Sequence, residues 1–294
     1  MNKIIIINKS IGMTSHDVVN KVRRIFHTKR VGHTGTLDPD ASGVLVVCLN
    51  EATKLVQFLE SDSKEYIAEI LIGKSTNTFD RTGNTITEVE VESLDEESVD
   101  VCLKSFLGKS KQLPPMYSAI KVNGKKLYEY ARNNETVNLQ ERDIEIFSIE
   151  RISSIEKLDK FYVFTIKVLV SKGTYIRSLC VDIASKLGYP GLMNSLVRTK
   201  SGVWNIEDSC TLEDLENGVF TSYTMLETLK NYPIIDEEEC VFKASHGMKI
   251  SPSKIYELLS SKPERIVIKN NDELIAIYDY LESINGYKAV RVWN

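Results

Sequence analysis

The segment VGHTGTLDPDASGVLVV, residues 31–47, concentrates side chains that could do chemistry. It holds one His, two Thr, two Asp and three Gly between apolar residues, and it contains the only Asp-Pro dipeptide of the chain. Such a segment could form a turn, a calcium-binding loop, a phosphate-binding loop or the seat of a catalytic carboxylate. The rest of the sequence has to discriminate between these possibilities.

Neither the calcium loop nor the phosphate loop fits. The spacing of acids and Gly matches the first half of an EF-hand loop, but Leu49 stands at the last position, where a bidentate Glu is required. The nearest approach to a phosphate-binding loop, AEILIGKS at 68–75, has Ala68 in place of the first Gly and lies in a strand-like pattern. We therefore predict no metal site, and a simple Gly-rich turn and a catalytic loop both remain open.

Composition predicts a folded, cytoplasmic protein. With 294 residues and 42% hydrophobic content, the chain can bury a substantial core in one large domain, with or without a small appendage. The aliphatic run from Ile4 to Ile7 is too short for a signal-peptide core or a membrane span. The 5 cysteines are widely spaced and form no C-x-x-C pair, so we predict reduced thiols.

The charge distribution is more informative than the net charge of -4, which by itself argues against a nucleic-acid-binding protein. A basic patch without acids lies just before the Asp-Pro segment and consists of Lys21, Arg23, Arg24, Lys29 and Arg30. Acids crowd instead into residues 88–100. The basic patch is either an ordinary solvated face or a surface that contacts phosphates.

Hydrophobic periodicity predicts an α+β fold whose sheet is mixed and largely antiparallel. The predicted strands are KIIIINK, GVLVVCL, KEYIAEILIG and FYVFTIKVLVS, and the predicted helices are SHDVVNKVRRIF, EATKLVQFL, DEESVDVCLKSFLG and TYIRSLCVDIASKLG. Ser15 is expected to cap the first helix, and SAIKVNGKKLY to form a hairpin that turns at Asn123-Gly124.

The character of the chain changes at about residue 232. Short strand-like pieces follow, separated by Gly, Pro, Asn and Asp: FKASHGMKI, ERIVIK, ELIAIYDY and YKAVRVW. We predict a catalytic domain over residues 1–231 and a compact β domain over residues 232–294.

Several ordered stretches together resemble one family. HTGTLDPDASGVL resembles the active-site motif of the tRNA pseudouridine synthase B family. Further blocks of that family are matched by NKSIGMTSHDVV, SKEYIAEILIGKSTNTFDRTG, QLPPMYSAIKVNGKKLYEYAR, VSKGTYIRSL and LVRTKSGVW. The resemblance covers nearly the whole chain, although Ser10 stands where the family usually has Pro.

The resemblance implies a pseudouridine synthase core followed by a small C-terminal β domain of the PUA type, which binds RNA. It implies isomerisation of uridine 55 in the T arm of tRNA. That reaction breaks the bond between uracil N1 and ribose C1′, turns the base and rejoins it through C5, so no cofactor is required. We expect a monomer that acts without guide RNA and without a membrane.

The resemblance also implies roles for residues of the site. Asp38 matches the nucleophile, and attack at C6 of the base and attack at C1′ both remain open. Arg177 would pair with this carboxylate and favour its ionised form in an apolar site. Tyr66 would stack on the uracil and assist proton transfer from C5, and Tyr175 would pack against the flipped base. His33 would fill the stack that the uridine leaves.

Phosphate contacts are expected from Lys9, which has motif support, and from the basic patch of Lys21, Arg23, Arg24, Lys29 and Arg30. Asp80 could cap a turn or help to organise the site. Two alternatives remain open: an RNA-folding protein without catalysis on the same scaffold, and a partner-dependent relative that works on ribosomal RNA in a guide-RNA particle.

Overall fold

A computed structural model describes residues 2–60, 63–133 and 135–293. The strands are β1 (Ile4–Lys9), β2 (Val31–His33), β3 (Ala41–Leu49), β4 (Ser63–Ile72), β5 (Lys74–Thr76), β6 (Thr85–Glu88), β7 (Gly108–Gln112), β8 (Lys121–Val122), β9 (Lys125–Lys126), β10 (Arg142–Arg151), β11 (Glu156–Leu158), β12 (Phe161–Ser171), β13 (Gly191–Ser201), β14 (Trp204–Asn205), β15 (Ser222–Tyr223), β16 (Ile234–Ile235), β17 (Arg265–Asn270), β18 (Glu273–Leu281) and β19 (Gly286–Val292). The α-helices are α1 (Ser15–Ile25), α2 (Val56–Leu59), α3 (Glu96–Lys104), α4 (Leu127–Arg132), α5 (Ile176–Lys186), α6 (Leu212–Glu216), α7 (Glu238–Ser245) and α8 (Pro252–Leu259). Short 3-10 turns cover Asn50–Leu55, Ile206–Asp208, Glu227–Leu229 and Glu282–Ile284.

One large sheet organises most of the chain. Its strands follow the order β15-β1-β3-β13-β4-β12-β10-β7, with β2, β11 and β14 paired at its margins. Among the described strands of this sheet, only β3 and β13 pair in parallel; the other pairs are antiparallel. The predicted α+β class with a mixed, largely antiparallel sheet is confirmed. The parallel pair brings the segment that contains Asp38 beside the middle of β13.

The N-terminus of α1 corrects the predicted cap. Thr14, not Ser15, is the cap: its hydroxyl accepts from the Asp17 amide at 3.0 Å, and the Asp17 carboxylate accepts from the Thr14 amide at 2.8 Å. Ser15 is buried, and its Oγ accepts from the Leu37 amide at 2.9 Å. The hydroxyl of Ser15 is therefore used to attach α1 to the loop before Asp38.

The stretch EATKLVQFL also differs from its prediction as one helix. It begins as the 3-10 turn Asn50–Leu55 and ends as the single-turn helix α2. Asn50 has a positive φ of 52°, and the Thr53 hydroxyl donates to the Asn50 carbonyl at 2.6 Å, which favours a tight turn here. The hairpin at Asn123-Gly124 is confirmed, with φ of 51° and 82° at its two turn residues.

The C-terminal region forms a second sheet of order β16-β17-β18-β19. One face of it packs with β1 and β3 in a shared apolar cluster that includes Val267, Ile277 and Trp293. The opposite face is covered by α7 and α8. The indole nitrogen of Trp293 donates to the Glu51 carbonyl at 3.2 Å, so this sheet is attached to the larger one by packing and by a hydrogen bond.

The prediction of a strand at FKASHGMKI is wrong, because its first four residues belong to α7 and the rest forms a turn with one isolated bridge at Ile250. The Glu237 carboxylate accepts from the Cys240 amide at 2.8 Å and caps the helix. Cys240 and Ala244, four residues apart, are buried against the sheet, which is helical spacing. Helix α8, at PSKIYELL, was not predicted.

Two further predictions concern membrane-spanning segments and the state of the cysteines. Over the residues that the structure describes, no helix has the length and apolar character needed to cross a membrane. The cysteines are free thiols, as predicted, and all except Cys210 are buried.

Candidate active site

A cavity of about 750 Å³ opens between β4, β13, the start of α5 and the loop before β3. Its walls include Asp38, Tyr66, Tyr175 and Arg177, which the sequence had marked as candidates. These side chains come from distant parts of the chain, and the fold brings them together at one place. The cavity has the size of a typical small-ligand site.

Asp38 and Arg177 form a two-point ion pair on the cavity wall. The distance from Arg177 Nε to Asp38 Oδ2 is 2.8 Å, and from Nη2 to Oδ1 it is 3.2 Å. Arg177 is only 5% exposed, whereas 38% of the Asp38 side chain remains accessible. The carboxylate is therefore held from behind by a buried cation and keeps an open side toward the cavity.

The remaining donors of Arg177 are also engaged. Nη1 donates to the Thr78 carbonyl at 3.0 Å, and Nη2 donates to the Tyr117 carbonyl at 2.9 Å. Asp80 Oδ2 lies 3.7 Å from Nη1. Arg177 is thus a fixed, buried guanidinium and not a solvated charge on a helix face.

Asp80 organises the loop that faces Arg177. Its Oδ1 accepts from the Thr78 hydroxyl at 2.7 Å, from the Thr82 amide at 3.0 Å and from the Thr82 hydroxyl at 2.6 Å. These bonds hold the Thr78 carbonyl in position for Arg177. The two roles considered for Asp80 from the sequence, a turn cap and an organiser of the site, are combined in one side chain.

The start of α5 is anchored to the end of β7. The Tyr175 amide donates to Gln112 Oε1 at 2.8 Å, and Gln112 Nε2 donates to the Tyr175 carbonyl at 3.1 Å. Ser178 Oγ donates to the Leu113 carbonyl at 2.9 Å. Burial raises the pKa of the Tyr175 hydroxyl, which stays protonated at neutral pH. This anchoring fixes the position of Arg177, in the first turn of α5.

Lys9 does not have the surface position that a phosphate contact requires. It is 0% exposed, and its Nζ donates to the carbonyls of Met13 at 2.8 Å, Ser10 at 3.0 Å and Pro39 at 3.4 Å. The expectation that Lys9 contacts phosphates is therefore wrong. Its ammonium instead ties the turn after β1 to the residue that follows Asp38.

The buried ammonium of Lys9 makes stability depend on pH. Burial lowers the pKa of Lys9 from 10.5 to about 8. Between these values the unfolded chain keeps the Lys9 proton and the folded protein releases it, so the contribution of Lys9 to the free energy of unfolding rises with pH. We expect the wild-type value, relative to Lys9→Met, to increase between about pH 8 and pH 10 in urea denaturation. A difference that stays constant over this range would contradict the expectation.

The other proposed RNA contacts lie outside the cavity wall in the described part of the chain. His33 is half-buried on β2, and its Nδ1 has no hydrogen-bond partner among the residues that the structure describes. Burial lowers the pKa of His33, which favours the neutral ring. In the basic patch, Arg24, Lys29 and Arg30 are exposed and Lys21 and Arg23 are half-buried. Arg30 forms an ion pair with Glu51.

Several cations that the sequence analysis did not single out line the cavity: Lys64, Lys121, Arg142, Lys172 and Arg198. Most lie within the family-like blocks around SKEYIAEI, SAIKVNGKK, VSKGTYIRSL and LVRTKSGVW. The signal was therefore present, but a Lys or Arg within a strand or hairpin is not distinguished from a solvated charge by its neighbours in sequence.

Comparison with known proteins gives the family. Residues 23–176 match the model of the TruB family pseudouridylate synthase (N terminal domain), and residues 177–232 match that of the tRNA pseudouridylate synthase B C-terminal domain. A relative from Halalkalibacterium halodurans, tRNA pseudouridine synthase B, is 44% identical over 98% of this chain and 95% of its own length. A relative of the same name from Bacillus pumilus is 49% identical over 74% of this chain and 71% of its own length.

Solved structures support the same fold. A structure of a Cbf5-Nop10-Gar1 complex superposes with a TM-score of 0.69 and 25% identity, covering 99% of this chain and 84% of the other. The fold and the site thus define a pseudouridine synthase of the TruB class, an isomerase. The chain belongs to the tRNA pseudouridine synthase B family.

Proposed function

We propose that this protein isomerises uridine 55 in the T arm of tRNA to pseudouridine, with Asp38 as the nucleophile. The observation that carries the proposal is the two-point pair between the accessible Asp38 carboxylate and the buried Arg177 guanidinium at the cavity wall. Curated relatives over nearly the full chain bear the name tRNA pseudouridine synthase B, which supports tRNA as the substrate.

The chemistry requires one ionised carboxylate beside the ribose and the base. Asp38 attacks at C6 of the base or at C1′ of the ribose, and in both cases the bond between N1 and C1′ breaks. The base turns, C5 bonds to C1′, the bond to Asp38 breaks and the C5 proton leaves. Arg177 holds the carboxylate in one orientation through two hydrogen bonds.

Aromatic side chains support the turning base. Tyr66 is buried on β4 and lines the cavity beside Asp38, so its ring serves as a stacking surface and its hydroxyl assists removal of the C5 proton. Tyr175 packs against the base from the start of α5. A uridine in a folded T arm has to leave its stack to enter the cavity, and His33 fills the space that it leaves.

The RNA backbone is held by cations around the cavity and on α1. Lys121, Arg142 and Lys172 are exposed at the cavity rim, and Arg24 and Lys29 are exposed on the basic patch. Phosphate contacts of this kind supply salt-sensitive affinity without reading the sequence. The C-terminal residues 232–294, with their own sheet, add RNA contacts as a domain of the PUA type, and the protein acts as a monomer in the cytoplasm without guide RNA.

We expect neutralising either cationic region to flatten the salt dependence of tRNA binding. Two double variants test this, Arg23→Gln/Arg24→Gln in the basic patch and Lys121→Gln/Lys172→Gln at the cavity rim. Each should reduce the slope of log Kd against log salt by about 1–2, because each lost phosphate contact removes about 0.7–0.9 from the slope. The matched control is Lys157→Gln with Lys160→Gln. Lys157 lies on β11 and Lys160 in the turn before β12, both outside the cavity wall, so the slope should be unchanged. If the slope were unaltered in Arg23→Gln/Arg24→Gln, the basic patch would be a solvated face without phosphate contacts.

The proposed function is tested by tritium release from tRNA labelled at C5 of uridine, because pseudouridine formation replaces this hydrogen. Purified protein is assayed without guide RNA or added protein, with Asp38→Ala in parallel. Release of about one tritium per tRNA from the T arm, absent in the variant, is the expected result. Tight tRNA binding without release would favour RNA folding without catalysis or a partner-dependent enzyme.

A further inference from the structure

Arg198 is a buried cation in the middle of β13 and is only 1% exposed. Its Nε donates to the Val44 carbonyl at 2.7 Å, and its Nη2 donates to the Gly35 carbonyl at 2.9 Å. Gly35 precedes Asp38 and Val44 follows it. One guanidinium therefore bridges the two ends of residues 35–44. This segment, the loop before β3 together with the first residues of β3, is called the catalytic loop below.

The backbone of Arg198 contacts the same loop. In the parallel pairing of β3 with β13, Gly43 lies opposite Arg198. Gly43 has a φ of +104°, and a Cβ at this position would lie 2.2 Å from the Arg198 carbonyl oxygen. Only glycine permits so close an approach of the two strands at this point. The downstream end of the catalytic loop is thus held by both the backbone and the side chain of Arg198.

The upstream end is bonded to the guanidinium through the Gly35 carbonyl. Gly35 has a φ of +58°, and a Cβ there would lie 3.4 Å from Arg198 Nη1 and 3.1 Å from Lys64 Cε. Nη1 makes no hydrogen bond to the described residues. The position of Gly35 is therefore set by the hydrogen bond that Arg198 Nη2 donates to its carbonyl.

Burying a cation in this way lowers the stability of the fold, so its presence indicates a role other than stability. Among the described residues, no carboxylate forms an ion pair with Arg198, and its two bonded nitrogens, Nε and Nη2, donate to the backbone of the catalytic loop. A buried charge without a counter-ion costs free energy that an apolar side chain of similar size would avoid. What Arg198 provides is a fixed geometry at both ends of the loop that contains Asp38.

We propose that Arg198 is a positioning residue: by bridging Gly35 and Val44 it sets the position of the Asp38 carboxylate relative to Arg177 and Tyr66. This inference rests on the proposed role of Asp38 as the nucleophile. It assigns to Arg198 no contact with the reacting atoms. A carboxylate displaced by about 1 Å from its productive position can lose about 100-fold in rate.

The test compares Arg198→Lys with the wild type in single-turnover pseudouridine formation, together with the Kd for tRNA and the Tm. Lysine keeps the charge but has a single terminal nitrogen in place of the planar fork that meets two carbonyls. We expect the single-turnover rate to fall by about 100-fold while the Kd stays within about threefold. A folded Arg198→Lys protein with a rate within about threefold of the wild type would overturn the proposal.

A matched control separates loss of stability from loss of position. Arg151 is also largely buried, bonds to Asp100 and to the Ser153 carbonyl, and lies on β10 away from the cavity wall. Arg151→Met should lower the Tm and leave the single-turnover rate within about twofold of the wild type. If Arg151→Met lost as much rate as Arg198→Lys, the loss in Arg198→Lys would be explained by general destabilisation, and the proposal would be overturned.

If Arg198→Lys does not fold, Gly35→Ala provides the second test. It keeps every donor of Arg198, but its Cβ strains the backbone at a φ of +58° and meets Lys64 Cε at 3.1 Å, which shifts the upstream end of the loop. The same loss of rate with unchanged tRNA affinity is expected, and a wild-type rate would overturn the proposal. Asp38→Asn is assayed in the same series. Full activity in that variant would refute the proposed nucleophile, whereas an inactive Asp38→Asn beside a fully active Arg198→Lys would refute only the positioning role.

Discussion

Replacing Asp38 by Asn is expected to reduce pseudouridine formation by about 10⁴-fold or more, because the amide lacks the nucleophilic carboxylate oxygen. The tRNA affinity should stay within about tenfold, since the substitution removes no cation that could contact a phosphate. The cavity should keep its shape, because Asn has nearly the volume of Asp. The measurement is single-turnover conversion of tRNA, with binding followed separately.

Asp40→Asn is the matched control for this prediction. Asp40 lies in the same loop, accepts from Arg81 Nε at 2.7 Å and from Arg81 Nη2 at 3.0 Å, and is outside the cavity wall. Breaking this half-exposed pair should cost about 1 kcal/mol or less in stability and only a small part of the rate. Equal loss of activity in the two variants would mean that any change in the loop is damaging, and the assignment of Asp38 would fail.

Replacing Arg177 by Lys should lower the single-turnover rate by about 10²–10³-fold, although the charge is kept. The guanidinium donates to both oxygens of Asp38 and to the carbonyls of Thr78 and Tyr117. A single ammonium cannot meet four acceptors in these directions, so the carboxylate loses its fixed orientation and buried carbonyls lose their donors. The Tm should fall together with the rate.

Arg142→Lys is the comparison for Arg177→Lys, because Arg142 also lines the cavity but is exposed. A change from Arg to Lys at an exposed phosphate contact keeps the charge that the RNA meets, so the rate should stay near the wild-type value. If Arg177→Lys were as active as Arg142→Lys, a point charge would be sufficient near Asp38. The two-point geometry would then have no catalytic importance.

Local structure was predictable where burial repeats within a contiguous stretch. Strands β1, β3, β4 and β12 and helices α1, α3 and α5 follow from periodicity, because each has one face against the core. The errors lie where a distant contact decides between similar local choices. Thr14 and Ser15 both carry a hydroxyl, and only the packing of Ser15 against Leu37 shows which one is left to cap the helix.

Burial of charge was the least predictable property. The family motif predicts that Lys9 contacts phosphates, yet its Nζ is buried and donates to backbone carbonyls that include that of Pro39. Arg198 lies in a strand, where its neighbours in sequence do not distinguish it from a solvated charge. The acceptors that make burial of these cations tolerable lie far away in sequence, so no local pattern reports them.

The sequence by itself determined the family resemblance, the candidate catalytic residues and most strands of the large sheet, because motifs and periodicity are properties of contiguous residues. Only the tertiary structure decided how those residues meet. Asp38 and Arg177 are 139 residues apart and are joined because β7 anchors the start of α5 and β13 aligns the catalytic loop. Strand register and buried hydrogen bonds set these distances, and both depend on segments that come together only when the chain folds.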